Sequence, residues 1–357
     1  MSQDFHIGDV QSKIAVFGNN NTSTVHEAAG ADRSTDRPQR PRHDRPVATI
    51  GIVTALAEEY DAVTALLDGA RACPVVGDPA TYSVGYLPSR DPDHAHVVAV
   101  SVLPEGGNDI AATACTNLTR SFPTVTCVLF AGIAAGVPDP GRAERHVRLG
   151  DIVVPWEVVD YDHVDVRPDG PRLRPGFPQP SPRMTAAVNR LLTRDRRGDH
   201  PWEFWLDTGR RPDLARFQRP PEDTDVLYAP DESGRRIKHP SLRRSGHRKG
   251  APKVHRGRIG SADRSLRDAV TRDDLARRHD ILAVEMEIKG FGRASFLNGV
   301  EWYVVRGISD YGDSRTTPIW RGYASLAAAA FTRALLGECD PLGRPDSGGA
   351  AGPGEGR

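Results

Sequence analysis

Residues 283–310 read AVEMEIKGFGRASFLNGVEWYVVRGISD, and the order of apolar, acidic and small residues here decides the fold. The stretch opens on a short apolar step and the acidic pair Glu285 and Glu287, which flank Met286. Ile288, Phe291, Ala294, Ser295 and Leu297 then recur at close to a helical period. Asn298-Gly299 should stop that helix, since both residues tolerate positive φ. Trp302, Tyr303, Val304 and Val305 make a buried-strand run that would deliver Ser309 and Asp310 to a strand's C-terminal end. A helix start and a strand end would meet at one rim of an α/β sheet, where such folds bind ligands. Glu287 and Asp310 would then be neighbours in space. On spacing alone, an acidic helix cap and an unrelated strand-end turn explain the pattern as well.

Working outward, residues 47–54 (VATIGIVT) form a near-continuous apolar run, the pattern of a buried parallel strand. A helix should follow from Ala55 through Val63, Leu66 and Leu67 to a stop at Gly69, with Glu58 and Glu59 in its first turn. Acidic residues there ordinarily complement the helix dipole. Residues 81–86 and 95–103 read as strands, and 108–118 as a helix. Val125 to Phe130 is a further strand, leading into 131–137 (AGIAAGV), expected to be a loop whose small residues let backbone N–H groups approach a ligand. Asp263 would cap a helix starting at Arg264, and 320–336 would form an Ala-rich helix covering the sheet.

The stretch V-E-M-E, helix, strand, I-S-D resembles the signature of the nucleoside phosphorylase/nucleosidase superfamily, most closely its methylthioadenosine/S-adenosylhomocysteine nucleosidase branch. The resemblance implies an α/β fold: a single domain with a twisted mixed sheet flanked by helices. It implies that Met286 and Glu287 hold the ribose and that Asp310, beside Ser309, is the acid that protonates the purine. Residues 50–59 resemble the branch's I-G-I-x-x-A-x-x-E-E motif, whose last Glu activates water, here Glu59. The 131–137 run followed by Leu149-Gly150-Asp151-Ile152-Val153-Val154 resembles its G-x-A-G-G … G-D-I-V-V block, with Ala134 at the substrate. Ala135 and Ile133 depart from that block, which argues against side-chain contact to phosphate. Residues 258–263 (RIGSAD) resemble the family's turn over the base, so Ile259 and Ser261 would frame the purine.

The chain has 357 residues, 38% of them hydrophobic, with 29 Pro and 35 Gly, and a mean hydropathy of −0.47. These values suggest one packed core diluted by irregular segments. Zero net charge gives no global field for nucleic acid or membrane. No leader-like segment opens the chain and no apolar run suits a bilayer, so a cytoplasmic protein is expected. The cysteines at 73, 115, 127 and 339 lack metal-ligand or paired spacing, and neither metal nor cofactor is expected. We expect a disordered tail over 1–46, a catalytic domain over 47–340 with an insertion at about 160–256, and a disordered tail over 341–357. Within the first tail, residues 5–25 are β-prone, and 14–21 loosely resemble the RHIM-like amyloid motifs preceding some bacterial effector domains, with Ala15 where Gln is common. That segment suits homotypic or adaptor contacts, and the superfamily is usually homo-oligomeric.

These readings converge on an N-ribosyl hydrolase for a purine, expectedly adenine, nucleoside or nucleotide. An acid at Asp310 would serve the leaving base and a base at Glu59 the incoming water. Asp310 would have to be protonated, hence buried. Ten Lys or Arg and no acid lie between Arg235 and Arg258 and would receive the substrate's 5′ group. The rival readings are a phosphorylase, which needs Arg beside 131–137, and a non-catalytic sensing or assembly module.

Overall fold

In the computed structural model the described residues are 3–7, 10–14, 47–231 and 233–342. Gln3–Ile7 and Val10–Ile14 form an antiparallel hairpin with Phe5 opposite Ser12, in a unit separate from the rest of the chain. The asparagine run, the Arg/Pro-rich segment to 46 and most of the C-terminal tail lie outside the described residues.

The larger unit is built on a nine-stranded sheet. Its strands are β1 (Ile50–Thr54), β2 (Asp68–Ala72), β3 (Tyr82–Leu87), β4 (His96–Val102), β5 (Cys127–Gly136), β6 (Ile152–Asp160), β7 (Val254–Ser261), β8 (Ile281–Glu285) and β9 (Glu301–Asp310). Their spatial order is β8-β7-β6-β9-β5-β1-β4-β3-β2, and β8 also pairs with β5, so β5, β9, β6, β7 and β8 close into a ring. Parallel pairs (β1 with β4 and β5, β9 with β5) and antiparallel ones (β2–β3, β3–β4) coexist, the mixed α/β sheet that the resemblance implied. Helices α1 (Ala57–Ala65), α2 (Asn108–Ser121), α3 (Pro182–Arg196), α4 (Ala269–His279), α5 (Ile288–Leu297) and α6 (Arg321–Gly337) accompany it.

The sheet's two faces carry separate apolar clusters. On one, α6 contributes Leu326, Phe331, Leu335 and Leu336 against Ile52, Leu129 and Tyr303. On the other, α2 and α5 supply Leu118, Ile288 and Phe291 against Val53, Phe130 and Val304. The buried runs of β1 and β9 therefore face helices on both sides, which is why they read as continuous rather than alternating.

Several local expectations are corrected. The small-residue run at 131–136 is the second half of strand β5, held by pairing of Ala131–Ala134 with Val305–Ile308, so it is a strand and not a loop. Residues 258–261, the first part of the turn expected at 258–263, are instead the end of strand β7, because β7 is inserted between β6 and β8. Helix α4 starts at Ala269, and Asp268 caps it by accepting from Thr271 N at 2.7 Å; Asp263 does not. Helix α1 ends at Ala65, and Gly69 lies instead in the exposed edge strand β2.

Helix α6 packs so closely on β9 that the strand needs glycine at 307. A Cβ there would lie 1.9 Å from the Ala324 carbonyl oxygen. Gly307→Ala is expected to lower stability by about 1–3 kcal/mol through overpacking, read as a shift in the urea unfolding midpoint.

Candidate active site

The site is assembled where β1, β5, β8 and β9 end. Strand β1 runs into α1 through Ala55 and Leu56, whose N–H groups both donate to Glu59 Oε2, at 2.6 and 3.0 Å. Glu59 Oε1 accepts from Ile133 N of β5 at 2.8 Å. The carboxylate is thus locked between helix and strand, and burial raises its pKa against the opposing pull of Arg306 and these backbone donors.

Strand β8 ends at Glu285. Its Oε2 accepts from Glu287 N and Ile288 N at 3.0 and 2.9 Å, so Glu285 satisfies the first amides of α5. The adjacent Glu287 turns its own carboxylate toward the cleft, against the loop at Gly106.

Arg306 of β9, fully buried, lies beneath all three glutamates. Its Nη2 is 2.5 Å from Glu285 Oε2 and 3.6 Å from Glu287 Oε2. Its guanidinium sits over the Phe130 ring at 4.3 Å. Gly132 of β5 makes room for this pair: a Cβ there would lie 2.6 Å from Arg306 Nη1 and 2.7 Å from Glu59 Oε1. One cation cannot neutralise three buried acids. Burial, and then the charge of Glu285, push Glu287 up to about 8.

At the end of β9, Asp310 Oδ2 accepts from Ser309 Oγ at 2.8 Å and Oδ1 from Gly312 N at 2.8 Å. Asp310 is half-buried, whereas full burial was expected. Ser309 Oγ also reaches the Ala134 carbonyl oxygen at 3.5 Å.

Glu59, Ala134, Met286, Glu287, Ser309 and Asp310 all border one cleft of about 260 Å³. Ile259 and Ser261 do not. Ile259 is buried in the core below α5, and Ser261 Oγ accepts from Lys289 N at 2.9 Å, tying β7 to the start of α5. The wall expected of them is made by the loop after β7, from Arg264 to Arg267, together with Tyr161. The basic run at 235–258 is likewise away from the cleft lining. Arg248 pairs with Glu203 and Arg258 with Glu157, while Lys253 Nζ donates to the carbonyl oxygens of Glu144 and Ser245. Cations do border the cleft, but they are Arg264, Arg267 and Arg321.

The residue that sequence reading missed outright is Arg306. Its signal was a charged residue inside the strand run from Trp302 to Ile308, where a buried cation requires acidic partners. Asn108, given no role from sequence, accepts from Gly290 N at 2.9 Å and clamps α2 to α5.

The insertion reaches this site from behind. Tyr311, next to Asp310, donates to Asp225 Oδ1 at 2.6 Å, and Arg148 Nε donates to Asp225 Oδ2 at 2.8 Å. Asp139 N donates to His146 Nδ1, so His146 Nε2–H donates to His239 Nδ1, whose Nε2–H donates to the Asp225 carbonyl oxygen. Nearby, Asp151 Oδ2 accepts from His247 Nε2 and His255 Nε2 at 2.8 and 2.9 Å. These last three bring ligand-type atoms within 4.8 Å of one another and are the group among the described residues that could hold a metal ion. Their mutual hydrogen bonds already satisfy those atoms.

The Phosphorylase superfamily pattern matches residues 49–335. The chain belongs to this superfamily. A curated relative in sequence, 28% identical over 302 residues, is a nucleotide-binding leucine-rich repeat (NLR)-like protein of the fungus Hyaloscypha variabilis; the match covers 81% of this chain and 29% of that protein. Among solved structures, the superfamily fold is shared with the 5′-methylthioadenosine/S-adenosylhomocysteine nucleosidase of Neisseria meningitidis in complex with methylthio-immucillin-A. That match has a TM-score of 0.54 and 17% identity over 80% of this chain and 97% of that one. The S-adenosylhomocysteine nucleosidase of Streptococcus pyogenes gives 0.54 and 19% over 82% and 97%. Futalosine hydrolase of Helicobacter pylori gives 0.53 and 18% over 81% and 97%. No helix among the described residues is long and apolar enough to cross a membrane.

Arg306→Met is expected to cost about 3–5 kcal/mol of stability, because it strands buried carboxylates. Adding Glu285→Gln should recover part of the loss, as read from a double-mutant cycle in urea. Acid should also weaken the fold. Burial, then His239 and His247, hold His146 at about 3, whereas the unfolded chain takes up that proton near ~6.5. Stability is then intact above pH ~6.5 and declines as pH falls toward 3, and His146→Gln should flatten that slope in thermal melts between pH 7.5 and 5.

Proposed function

We propose that this protein hydrolyses the N-ribosidic bond of a purine nucleoside or nucleotide, adenine being the favoured base. The observation that carries the proposal is the gathering of Glu59, Glu287 and Asp310 on one cleft of nucleoside size. Breaking the bond leaves positive charge on the ribose and negative charge on the base. Asp310, at the cleft, would protonate the leaving purine. Glu287 would accept from the ribose hydroxyls and favour the cationic sugar. Glu59, held rigid by Ala55, Leu56 and Ile133, would take the proton of the attacking water.

A phosphorylase needs a cation free beside residues 131–137 for the attacking phosphate. The guanidinium beside β5 is that of Arg306, whose Nη2 is committed to Glu285 and Glu287 with Glu59 close by. An acidic floor repels phosphate and suits water. The fungal relative's description as an NLR-like protein supports a further reading, in which the domain is an effector, antiphage in a bacterial setting, activated by clustering through the N-terminal segment. Removal of residues 1–25 should then lower activity in concentrated protein and leave the isolated domain weakly active.

Free adenine and free ribose, rather than ribose 1-phosphate, are the expected products, at a rate unchanged by added phosphate. Phosphate-dependent turnover would instead establish the phosphorylase. Asp310→Asn and Glu59→Gln should each lower kcat by about 10²–10⁴-fold. If the ionised Glu287 binds the sugar, kcat/KM rises with pH through about 8, and Glu287→Gln removes that limb of the profile.

A further inference from the structure

We propose that the substrate carries a 5′-phosphate or 5′-polyphosphate, received by Arg264, Arg267 and Arg321. This rests on the hydrolase reading above and adds the chemical class of the 5′ group.

The cleft is polarised by depth. Its acids lie deep, Glu59, Glu285 and Glu287 being buried and Asp310 half-buried. Its cations lie outward: Arg264, Arg267 and Arg321 border the same cleft and are exposed. Among the described residues, Arg267 and Arg321 have no carboxylate within ion-pair distance, and the hydrogen bond recorded for Arg267 goes to Thr316 Oγ1 at 3.2 Å. Arg264 is steadied by Asp162 and by the Tyr161 ring, 5.5 Å away, and retains donors for another acceptor. Arg321 is also the first residue of α6, a 17-residue helix with no acidic side chain in its first turn, so the helix dipole there lacks its usual complement.

Arg267 and Arg321, without ion-pair partners among the described residues, border one cleft with Arg264, and an anion bound among them would offset their mutual repulsion. Planar forks suit phosphate oxygens, whereas a thioether gains nothing from them. With Asp310 assigned to the base and Glu287 to the ribose hydroxyls, the 5′ carbon is the part of the nucleoside left to face the outer rim. The same polarity separates a phosphorylated tail from the acidic floor that would repel it. A nucleoside bearing an uncharged 5′ group would leave the rim unused.

The test measures adenine release from adenosine, 5′-methylthioadenosine, AMP, ADP and ATP, with equilibrium binding of adenosine and ATP to the Asp310→Asn protein. We expect kcat/KM for at least one phosphorylated substrate to exceed that for adenosine by 100-fold or more, and to fall as salt rises. Arg321→Ala and Arg267→Ala should lower kcat/KM for that nucleotide by about 10–100-fold, on charged hydrogen-bond magnitudes, and far more than for adenosine. Arg321→Lys should restore part of the loss. Equal or better turnover of adenosine or methylthioadenosine overturns the proposal, as does an equal loss for all substrates in the arginine variants. Should no substrate release adenine, the hydrolase reading fails; the binding arm still decides this one, since ATP must bind the Asp310→Asn protein at least 10-fold more tightly than adenosine.

Discussion

The site depends on one buried guanidinium serving three carboxylates. Arg306 pairs directly with Glu285, lies within 3.6 Å of Glu287, and shares the space above Gly132 with Glu59. Removing such charges from water is costly, and it is tolerable here because each acid also has backbone donors or a raised pKa. The arrangement welds four strand ends together: β1 through Glu59, β5 through Ile133, β8 through Glu285 and β9 through Arg306 itself. Fold and chemistry are therefore inseparable at this point. The acids hold their positions because the sheet does, and the closing of the sheet brings β8 back against β5.

Much of this was legible in the chain. The apolar runs at 47–54 and 302–305 and the helical spacing from Ile288 to Leu297 follow directly from burial on one face or two, and the observed elements agree to within a few residues. Glu59, Glu287 and Asp310 stand out by the resemblance of their motifs to those of the superfamily, since position alone is explained as well by helix caps and a strand-end turn. The failures have a common cause. The small residues from Ala131 to Gly136 look like a loop in isolation, and only pairing with β9 makes them a strand. Residues 258–261 read as part of a turn because their neighbours β6 and β8 are distant in sequence. Long-range pairing leaves little local trace.

Charge misled in the same way. The run at 235–258 drew attention by its density of cations, yet those side chains whose partners are described here are tied to other parts of the insertion and the sheet. The cations that border the cleft stand singly, at 264, 267 and 321, and only the folding of the loop after β7 toward the start of α6 gathers them. Cation density along the chain says how soluble a loop is. Convergence in space says what it can hold.

The grip of Asp225 on Tyr311 gives the insertion a different standing from an ornament on the sheet. Tyr311 immediately follows the half-buried acid, and its hydroxyl ends on a carboxylate that Arg148 also holds and whose own carbonyl caps a relay of imidazoles. A change of length or composition far out in that excursion would be felt one residue from Asp310. The insertion is thereby a mechanical handle on the position of Asp310, able to shift that carboxyl while leaving every cleft residue the same.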